Sequence, residues 1–236
     1  MRVNAVIVAA GEGKRMGKEI PKPFLPVGGC PLILHTLSRF AASKTVHKVV
    51  LVTAEKELPR CRDLLRTEAE LAGLACVLHP GGLTRQDSVS RGLGRLDADC
   101  EIVVVHDGAR PFISPALIDR CVDLAFKKGA VVVGVPVRDT IKVISKNRHV
   151  QDTPSRDSLW EVQTPQVFRV EIIREAYEKV TRMGKEATDD ATLVERLGKK
   201  VILLQGHRTN LKITFPEDLL IAEALFKEWR FSKTAL

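Results

Sequence analysis

Short runs of β-branched apolar residues alternate along this chain with segments whose apolar residues recur at helical spacing. The apolar runs predict strands at residues 4–9, 48–53, 75–79, 102–106, 130–137 and 200–204. The run at 102–105 is apolar on both faces, which is typical of a parallel strand covered by helices on either side. Strands that alternate with helices over 236 residues predict one α/β domain, spanning 1–236, with a doubly wound and mostly parallel sheet.

The starts of several helices can be read from their capping residues. The segment 84–87 has the pattern of a capping box, and apolar residues follow it on one helix face. Ser114 followed by Pro115 predicts an N-cap with proline in the first turn, and the segment 214–217 predicts the start of the last helix in the same way. The segment 188–190 also predicts a helix cap.

One stretch, residues 138–170, interrupts the alternation of strands and helices. Residues 138–144 and 159–162 have the composition of β segments, and a polar turn around Asn147 separates them without a helical pattern. We interpret this stretch as a β-hairpin arm that projects from the domain. Because an isolated two-stranded arm is marginal in water, we expect it to pack on a second copy of the chain. The alternative is that these strands extend the main sheet.

Composition excludes several classes of protein. Hydrophobic residues make up 44% of the chain and charged residues 28%, which is too ordinary for a disordered or low-complexity protein. No window approaches 18 uninterrupted apolar residues, so no membrane span is expected. The first residues lead from a short apolar run directly into a charged loop without the layout of a signal peptide, which predicts a cytoplasmic protein.

The formal net charge of +8 favours an anionic partner. A nucleic acid is disfavoured because aromatic residues make up only 5% and no RNA-reading aromatic motif is present. The five cysteines contain no Cys-x-x-Cys pair and the six histidines lack the spacing of zinc ligands, so no structural metal is expected. A phosphorylated small molecule remains, beside the alternative of a basic surface with no function attached.

A glycine-rich loop at residues 9–23 follows the first predicted strand, where α/β proteins hold phosphates. It lacks the dinucleotide-binding pattern because Met16 replaces the third glycine, and it lacks the P-loop pattern because Glu12 and Glu19 occupy required positions. Four cations lie in the loop: Lys14, Arg15, Lys18 and Lys22. Glycines let backbone N–H groups approach phosphate oxygens, and cations neutralise them. The loop therefore predicts a polyphosphate ligand, the alternative being a tight turn.

A second candidate is Asp107, which directly follows the predicted strand 102–106. Ligands bind at the carboxyl ends of such strands, and a carboxylate there can hold Mg²⁺ that is already bound to phosphates. Arg110 nearby favours an anion site over the alternative, a turn aspartate that caps its own backbone. Gly82 and Ser88 belong to another strand-to-helix turn, where the glycine allows close approach and the serine offers a hydroxyl.

Several ordered motifs carry a resemblance to a known family. They are the segments 9–17, 21–22, 106–111, 136–142, 160–166 and 212–218. The first resembles the loop of sugar-type nucleotidyltransferases, and together they resemble the 2-C-methyl-D-erythritol 4-phosphate cytidylyltransferases of the non-mevalonate isoprenoid pathway. The resemblance spans nearly the whole chain. One position differs from the family pattern: Thr209 stands where the family often has an acidic residue. This difference affects the expected contacts to sugar hydroxyls and not the expected reaction.

The resemblance implies a Rossmann-like nucleotidyltransferase fold, CTP and a polyol phosphate as substrates, Mg²⁺ as cofactor and a homodimer joined through the arm. It implies four catalytic cations. Arg15 and Lys22 would stabilise the transition state at the α-phosphate, and Arg156 and Lys212 would position the polyol phosphate. It also implies nine substrate-binding residues: Ala10, Gly11, Gly13, Gly82, Ser88, Asp107, Arg110, Thr140 and Thr164. Of these, Ala10, Gly11, Gly82 and Ser88 would hold the base and the ribose.

The same resemblance places Asp107 near the metal and phosphates, and it implies that Thr140 and Arg156 on the arm serve the neighbouring subunit's site. Two alternatives stay open. One is a related cytidylyltransferase for another polyol phosphate, such as ribitol 5-phosphate. The other is a nucleotide-binding module without catalysis, against which the presence of Arg15 and Lys22 argues.

Overall fold

The computed structural model describes residues 1–11, 13, 16–17, 20–68, 71, 73–183 and 187–234, with side chains described except at 180–183 and 229–234. The described strands are β1 (Val3–Ala9), β2 (Pro26–Val27), β3 (Cys30–Pro31), β4 (Lys48–Thr53), β5 (Ala75–Pro80), β6 (Ile102–Asp107), β7 (Ala130–Pro136), β8 (Val143–Ile144), β9 (Val150–Asp152), β10 (Trp160–Arg169) and β11 (Ile202–Gln205). The described α-helices are α1 (Leu32–Ala41), α2 (Leu58–Thr67), α3 (Arg85–Leu93), α4 (Pro115–Lys128), α5 (Val170–Met183), α6 (Asp190–Arg196) and α7 (Pro216–Thr234).

The main sheet has seven strands in the order β11-β7-β10-β6-β1-β4-β5. Neighbouring strands pair in parallel except β10, which runs antiparallel to both β6 and β7. The six strands predicted from apolar runs correspond to β1, β4, β5, β6, β7 and β11, with ends that differ by at most two residues. The prediction of an α/β fold with a mostly parallel sheet is confirmed.

The predicted arm is shorter than expected. Its hairpin pairs β8 with β9 around a turn at 145–149, whereas Trp160 lies opposite Pro136 of β7 in the main sheet. The segment 159–162, predicted as the second strand of the arm, thus contributes its last three residues to β10. The physical reason is that β10 pairs with strands on both sides and passes through a register shift between Gln163 and Gln166, which breaks the apolar run in the sequence.

The predicted helix starts are formed largely as expected. The Thr84 side chain accepts a hydrogen bond from the backbone N–H of Asp87, and the Asp87 carboxylate accepts one from the backbone N–H of Thr84, which completes the capping box of α3. At α6 the cap is Asp189, whose side chain accepts from the backbone N–H of Thr192. Ser114 precedes α4 as predicted but makes no capping hydrogen bond through its side chain. These ends fix where α3 and α6 begin relative to the sheet.

Helices cover both faces of the sheet. Along β6, Val104 packs in a core with α1 and α4, while Val103 and Val105 pack in a second core with α3 and α5. Burying each such side chain contributes roughly 1.5–3 kcal/mol, so the central strands are held firmly. The carboxyl ends of β1, β4 and β6 form a fixed edge from which loops can present functional groups. Within the described residues, no helix is both long and apolar enough to cross a membrane.

Candidate functional site

A cavity of about 250 Å³ opens at the carboxyl ends of β1 and β6. Its walls come from the loops after β1, β5 and β6, the start of α3 and the segment before α7. Seven of the predicted site residues line it: Ala10, Gly11, Lys22, Gly82, Ser88, Asp107 and Lys212. The sequence motifs that lie far apart in the chain therefore meet at one place, as expected for a doubly wound sheet.

Asp107, the last residue of β6, is held among three cationic side chains. Its Oδ1 accepts a hydrogen bond from Arg85 Nε at 3.1 Å, and its Oδ2 lies 2.7 Å from Lys212 Nζ and 3.8 Å from Arg110 Nε. A backbone hydrogen bond from the N–H of Ile213 to the carbonyl of Ala109 ties the segment before α7 to the loop after β6. This contact brings Lys212 over the end of β6.

The charges around Asp107 decide its protonation. Burial alone would raise the pKa of Asp107, but the positive charges of Arg85 and Lys212 outweigh burial and lower that pKa well below its ordinary value. Burial opposes the charge of Arg85 as well, yet the neighbouring carboxylates of Asp190 and Asp107 raise the pKa of its guanidinium. Both groups are therefore charged at neutral pH, and the cavity combines one carboxylate with several cations.

Arg85 was not among the predicted site residues, although it lines the cavity. Its Nη1 lies 2.9 Å from Oδ2 of Asp190, so that the guanidinium joins two carboxylates. Asp190 is 1% exposed, and its Oδ1 accepts a hydrogen bond of 2.5 Å from the Tyr177 hydroxyl. In the sequence, Arg85 and Asp190 were visible only as neighbours of the helix caps Thr84 and Asp189. A capping pattern shows where a helix starts but not which side chain of its first turn points into a site.

Thr164 and Arg110 lie beside Asp107 rather than in the cavity wall. The Thr164 hydroxyl accepts a hydrogen bond from the backbone N–H of Asp107 at 3.0 Å. Its oxygen lies 3.1 Å from Nδ1 of His106, whose Nε2 lies 3.1 Å from the carbonyl of Arg110. Because a carbonyl only accepts, Nε2 carries the hydrogen and the Thr164 hydroxyl donates to Nδ1. Arg110 in turn donates from Nη1 to the carbonyl of Asn210.

His106 gives the fold a testable pH dependence. Burial lowers its pKa from 6.5 to about 4, so the folded protein holds a neutral ring that the unfolded chain protonates. Stability is therefore fully present above pH 6.5 and falls by about 3 kcal/mol as pH drops towards 4. We expect the urea midpoint of unfolding to fall between pH 7 and pH 5, and much less so in His106→Gln. The matched variant His149→Gln, at an exposed position on the arm, should keep the parent's dependence; an unchanged slope in His106→Gln would contradict the assignment.

The loop after β5 is packed tightly against the loop after β1. A Cβ on Gly81 would lie 2.3 Å from the Cβ of Ala10, and one on Gly82 would lie 2.3 Å from the Cβ of Asp87. The backbone N–H of Gly82 donates to the Ser88 hydroxyl at 3.1 Å. A side chain on Gly81 would push this loop away from the loop after β1, and a side chain on Gly82 would collide with the first turn of α3. Gly82 is thus packed closely against the start of α3 at the wall of the cavity.

The glycine-rich loop after β1 is described in part. Gly13 has a φ of +66°, and a Cβ there would lie 3.1 Å from the Cβ of Lys22, so the loop passes close to Lys22. Met16 is buried with Leu25 and Leu32 in a small core beneath the loop. Lys22 begins a short 3₁₀ helix, Lys22–Phe24, and lines the cavity. Arg15, one of the predicted catalytic cations, lies outside the described residues.

The arm residues Thr140 and Arg156 do not line this cavity. Both are exposed, and the Arg156 Nη1 donates to the carbonyl of Arg138 at 2.7 Å. Within one copy of the chain, Asp107 is thus part of the described cavity lining, whereas these two arm residues are not. The predicted roles of these two residues stay predictions.

Asp107 is the carboxylate to which a metal in this cavity would bind, since the described lining contains no second Asp or Glu. In the part of the chain that is described, no group of three or more His, Cys, Asp or Glu could hold a metal ion. A sparse donor set of this kind fits Mg²⁺, which usually binds one or two carboxylates together with substrate phosphates. The same set does not fit a zinc site, which requires three or four protein ligands.

Known proteins resemble the chain over almost its whole length. Residues 3–228 match the family described as 2-C-methyl-D-erythritol 4-phosphate cytidylyltransferase. A protein of that name from Geotalea uraniireducens (strain Rf4) is 44% identical over 229 residues, which cover 96% of this chain and 97% of the relative. Another, from Alkaliphilus metalliredigens (strain QYMF), is 40% identical and covers 96% and 94%. The crystal structure of 4-diphosphocytidyl-2C-methyl-D-erythritol synthase from Anaerococcus prevotii DSM 20548 superposes with a TM-score of 0.86 at 32% identity, covering 96% of each chain.

Proposed function

The chain belongs to the 2-C-methyl-D-erythritol 4-phosphate cytidylyltransferase family, and we propose that the cavity around Asp107 is where it carries out the family's reaction. The enzyme joins CTP and 2-C-methyl-D-erythritol 4-phosphate to give 4-diphosphocytidyl-2-C-methyl-D-erythritol and pyrophosphate. A phosphate oxygen of the polyol phosphate attacks the α-phosphorus of CTP. A new phosphorus–oxygen bond forms there while the bond from the α-phosphorus to the bridging oxygen of the β-phosphate breaks, and pyrophosphate leaves.

The nucleophile of this reaction needs no general base. The second pKa of a phosphomonoester is about 6, so the attacking phosphate is largely a dianion at neutral pH. The chemistry of the cavity agrees, because no histidine is among its described lining residues. The nearest ring, His106, is fully buried and both of its nitrogens are within hydrogen-bonding distance of protein groups. The protein's task is therefore to bring two polyanions together and to stabilise the charge that gathers at the α-phosphorus.

The observation that carries the proposal is the convergence of cations on this one cavity. Lys22, Arg85 and Lys212 all line it, and they come from three separate segments of the chain. Fixed cations that face a phosphoryl centre stabilise its transition state because they need no rearrangement as charge develops. Asp107 holds Arg85 and Lys212 in fixed directions, so that both are oriented before the substrates arrive. Lys22 is the cation we assign to the α-phosphate, together with Arg15.

We assign the nucleoside of CTP to the part of the cavity lined by Ala10, Gly11, Gly82 and Ser88. Backbone groups are exposed where side chains are missing, and they can bond the base and ribose. Polar groups that converge on a preformed slot discriminate between bases because a wrong base leaves them unpaired. A pyrimidine of the right hydrogen-bonding pattern is therefore favoured over a larger purine.

Mg²⁺ is the cofactor we propose, with Asp107 as the protein group that would hold it. When bound, the ion neutralises phosphate oxygens and lowers the repulsion between the two substrates. Asp107 already contacts two cations of this chain, so it serves in either case as the negative charge around which the positive groups are arranged. Arg110 and Thr164 also help to hold Asp107 in place: Arg110 Nε lies 3.8 Å from the Asp107 carboxylate, and the Thr164 hydroxyl accepts from the Asp107 backbone N–H.

The direct experiment measures pyrophosphate release with purified protein, CTP, Mg²⁺ and 2-C-methyl-D-erythritol 4-phosphate. Parallel reactions replace CTP with ATP, GTP or UTP, and replace the polyol phosphate with ribitol 5-phosphate. We expect turnover with the first pair and little with the others. Turnover with no pair would remove the proposal, and faster turnover with ribitol 5-phosphate would transfer it to that substrate.

We further propose that the chain forms a homodimer through the arm. Four apolar side chains on it are 41%, 45%, 54% and 58% exposed: Ile141, Val143, Ile144 and Val150. A cluster of exposed apolar side chains favours burial in an interface, and a two-stranded hairpin gains stability when it packs on a second surface. Dimerisation is therefore a way to stabilise the arm and to bring Thr140 and Arg156 to a neighbouring cavity.

The cytoplasmic location also stays a prediction from the sequence.

Mixing two inactive variants tests whether the arm completes a partner's site. Arg156→Ala and Lys22→Ala are each expected to be nearly inactive, and after unfolding and refolding together they should recover about a quarter of the parent activity. Half of randomly formed dimers are mixed, and each mixed dimer carries one intact site. The control mixes Lys22→Ala with Lys212→Ala, whose defects affect the same cavity in this account. Recovery in the control as large as in the test, or none in the test, would contradict the shared site.

A further inference from the structure

Arg85 is the cation of the cavity that is held from two sides. Its Nε donates to Asp107 at 3.1 Å, and a different nitrogen of the guanidinium, Nη1, lies 2.9 Å from Oδ2 of Asp190. A guanidinium is planar and has donors in fixed directions, so carboxylate partners on two of its nitrogens leave it little freedom to turn. Asp107 belongs to the cavity, whereas Asp190 does not line it. Asp190 therefore affects the cavity only indirectly, through its contact with Arg85.

The position of Asp190 is itself fixed by its neighbours. It is the first residue of α6, it is 1% exposed, and its Oδ1 accepts from the hydroxyl of Tyr177 on α5. Gln166 of β10 accepts from the backbone N–H of Ala191 and so attaches the start of α6 to the sheet. A buried charge without a partner is costly, and here the partner is a side chain of the cavity.

Helix capping does not account for Asp190. The capping carboxylate of α6 is the preceding residue, Asp189, which accepts from the backbone N–H of Thr192 and from the side-chain amide of Gln166. The prediction of a helix cap at 188–190 is thus satisfied by Asp189 alone. Asp190 instead turns both of its oxygens inward, one to Tyr177 and one to Arg85.

We propose that Asp190 is a positioning residue for the cytidylyl transfer, acting through Arg85 to set the arrangement of Arg85, Asp107 and Lys212. Without the charge of Asp190, Arg85 keeps one carboxylate partner and shifts towards Asp107, which then competes with Lys212 for the same group. A displacement of about 1 Å in a positioned group can lower a rate by up to about 10²-fold. The inference rests on the proposed function of this cavity.

The loss should fall on catalysis rather than on nucleotide binding. Burial raises the pKa of Asp190, the positive charge of Arg85 opposes that rise, and the 2.9 Å contact with Arg85 favours the ionised carboxylate. Asp190→Asn removes this negative charge and leaves the surroundings of Arg85 more positive, which favours the ground-state binding of a triphosphate. In Asp190→Asn we therefore expect kcat to fall about tenfold or more, while the Kd of CTP measured by calorimetry is no weaker than in the parent. A variant that is merely less well folded would keep the parent's kcat per folded molecule.

A double-mutant cycle tests whether Asp190 acts on catalysis through Arg85. If Asp190 acts through Arg85, Asp190→Asn costs about tenfold in kcat/KM in the parent but less than twofold in an Arg85→Met background. The matched control is Asp189→Asn, which removes the neighbouring negative charge and the acceptor oxygen for the Gln166 side chain, while neither Gln166 nor Thr192, the two residues bonded to Asp189, lines the cavity. It should lower the melting temperature with little change in kcat per active site, counted by single-turnover amplitude.

A second variant keeps the test decisive if Asp190→Asn does not fold. Tyr177→Phe removes one hydrogen bond to Asp190 and retains the ring in the core, and it should lower kcat several-fold in the parent but not in Arg85→Met. Additive effects in either cycle, an unchanged kcat in the folded variant, or an equal loss in Asp189→Asn would overturn the proposal. The parent is assayed beside them, so that an absence of turnover in the parent refutes the proposed function rather than the role of Asp190.

Discussion

Lys22→Ala is expected to lower kcat for cytidylyl transfer about 10²–10³-fold, the usual cost of removing one preorganised charged group from a transition-state site. Lys22 lines the cavity and begins a 3₁₀ helix between two prolines, so its backbone position is fixed before substrate binds. Water that takes the place of the Lys22 ammonium must reorganise as charge develops in the transition state, whereas a fixed ammonium need not. Water therefore stabilises the transition state less well. The fold should be retained, since the backbone supports of the loop are unchanged.

Three variants measured side by side give this prediction its controls. Lys22→Arg keeps the charge and should retain more activity than Lys22→Ala, though less than the parent because the planar guanidinium is shaped differently. Lys127→Ala removes an exposed lysine near the end of α4 and should leave kcat unchanged. Steady-state kinetics with saturating CTP, and melting temperatures, decide the matter. A kcat for Lys22→Ala within threefold of the parent would show that Lys22 does not face the reacting phosphate.

Asp107→Asn should damage both stability and turnover. The Asp107 residue is 7% exposed and its carboxylate pairs with Arg85 and Lys212. Because Arg85 keeps Asp190 as a partner and Lys212 is partly exposed, losing these charge-assisted hydrogen bonds should cost about 1.5–3 kcal/mol. Turnover should fall by about 10²-fold because Arg85 and Lys212 lose the group that orients them. Urea unfolding measures the first effect, and kcat per folded molecule measures the second.

The comparison variant for Asp107 is Asp97→Asn. Asp97 also pairs with a lysine, through a distance of 2.7 Å to Lys48 Nζ, but it lies near the amino ends of β1 and β4 rather than at the cavity. Its removal should cost stability as well, because the pair is partly buried, but kcat should not change, because neither Asp97 nor Lys48 lines the cavity. Equal losses of stability and activity in both variants would contradict the special position assigned to Asp107.

The sequence was sufficient for the elements that depend on local pattern. Apolar runs predicted β4 with both ends correct, because a strand covered on both faces has no room for polar residues. The capping box at Thr84 was readable because its two hydrogen bonds join residues only three positions apart. Asp107 and Lys22 could be picked out because glycine-rich turns and strand ends are where such folds bind phosphate.

The features that escaped prediction depend on contacts between distant segments. β10 lies between β6 and β7 and is antiparallel to both, and no local pattern states which strands a segment will join. Its polar interior residues Gln163 and Gln166 concealed the strand, although both are buried and bonded to other segments. The ion pair of Arg85 with Asp190 likewise joins residues more than a hundred positions apart. Such a pair becomes visible only when the sheet brings α3 and α6 together.

The most direct test of the account is a crystal structure of the protein with CTP. The central claim is that the triphosphate is held by the cations at the carboxyl ends of β1 and β6. We expect density for CTP in the cavity, with its phosphates against Lys22 and Arg85 and its base beside Gly82 and Ser88. A structure in which CTP binds elsewhere while this cavity holds only water would contradict it.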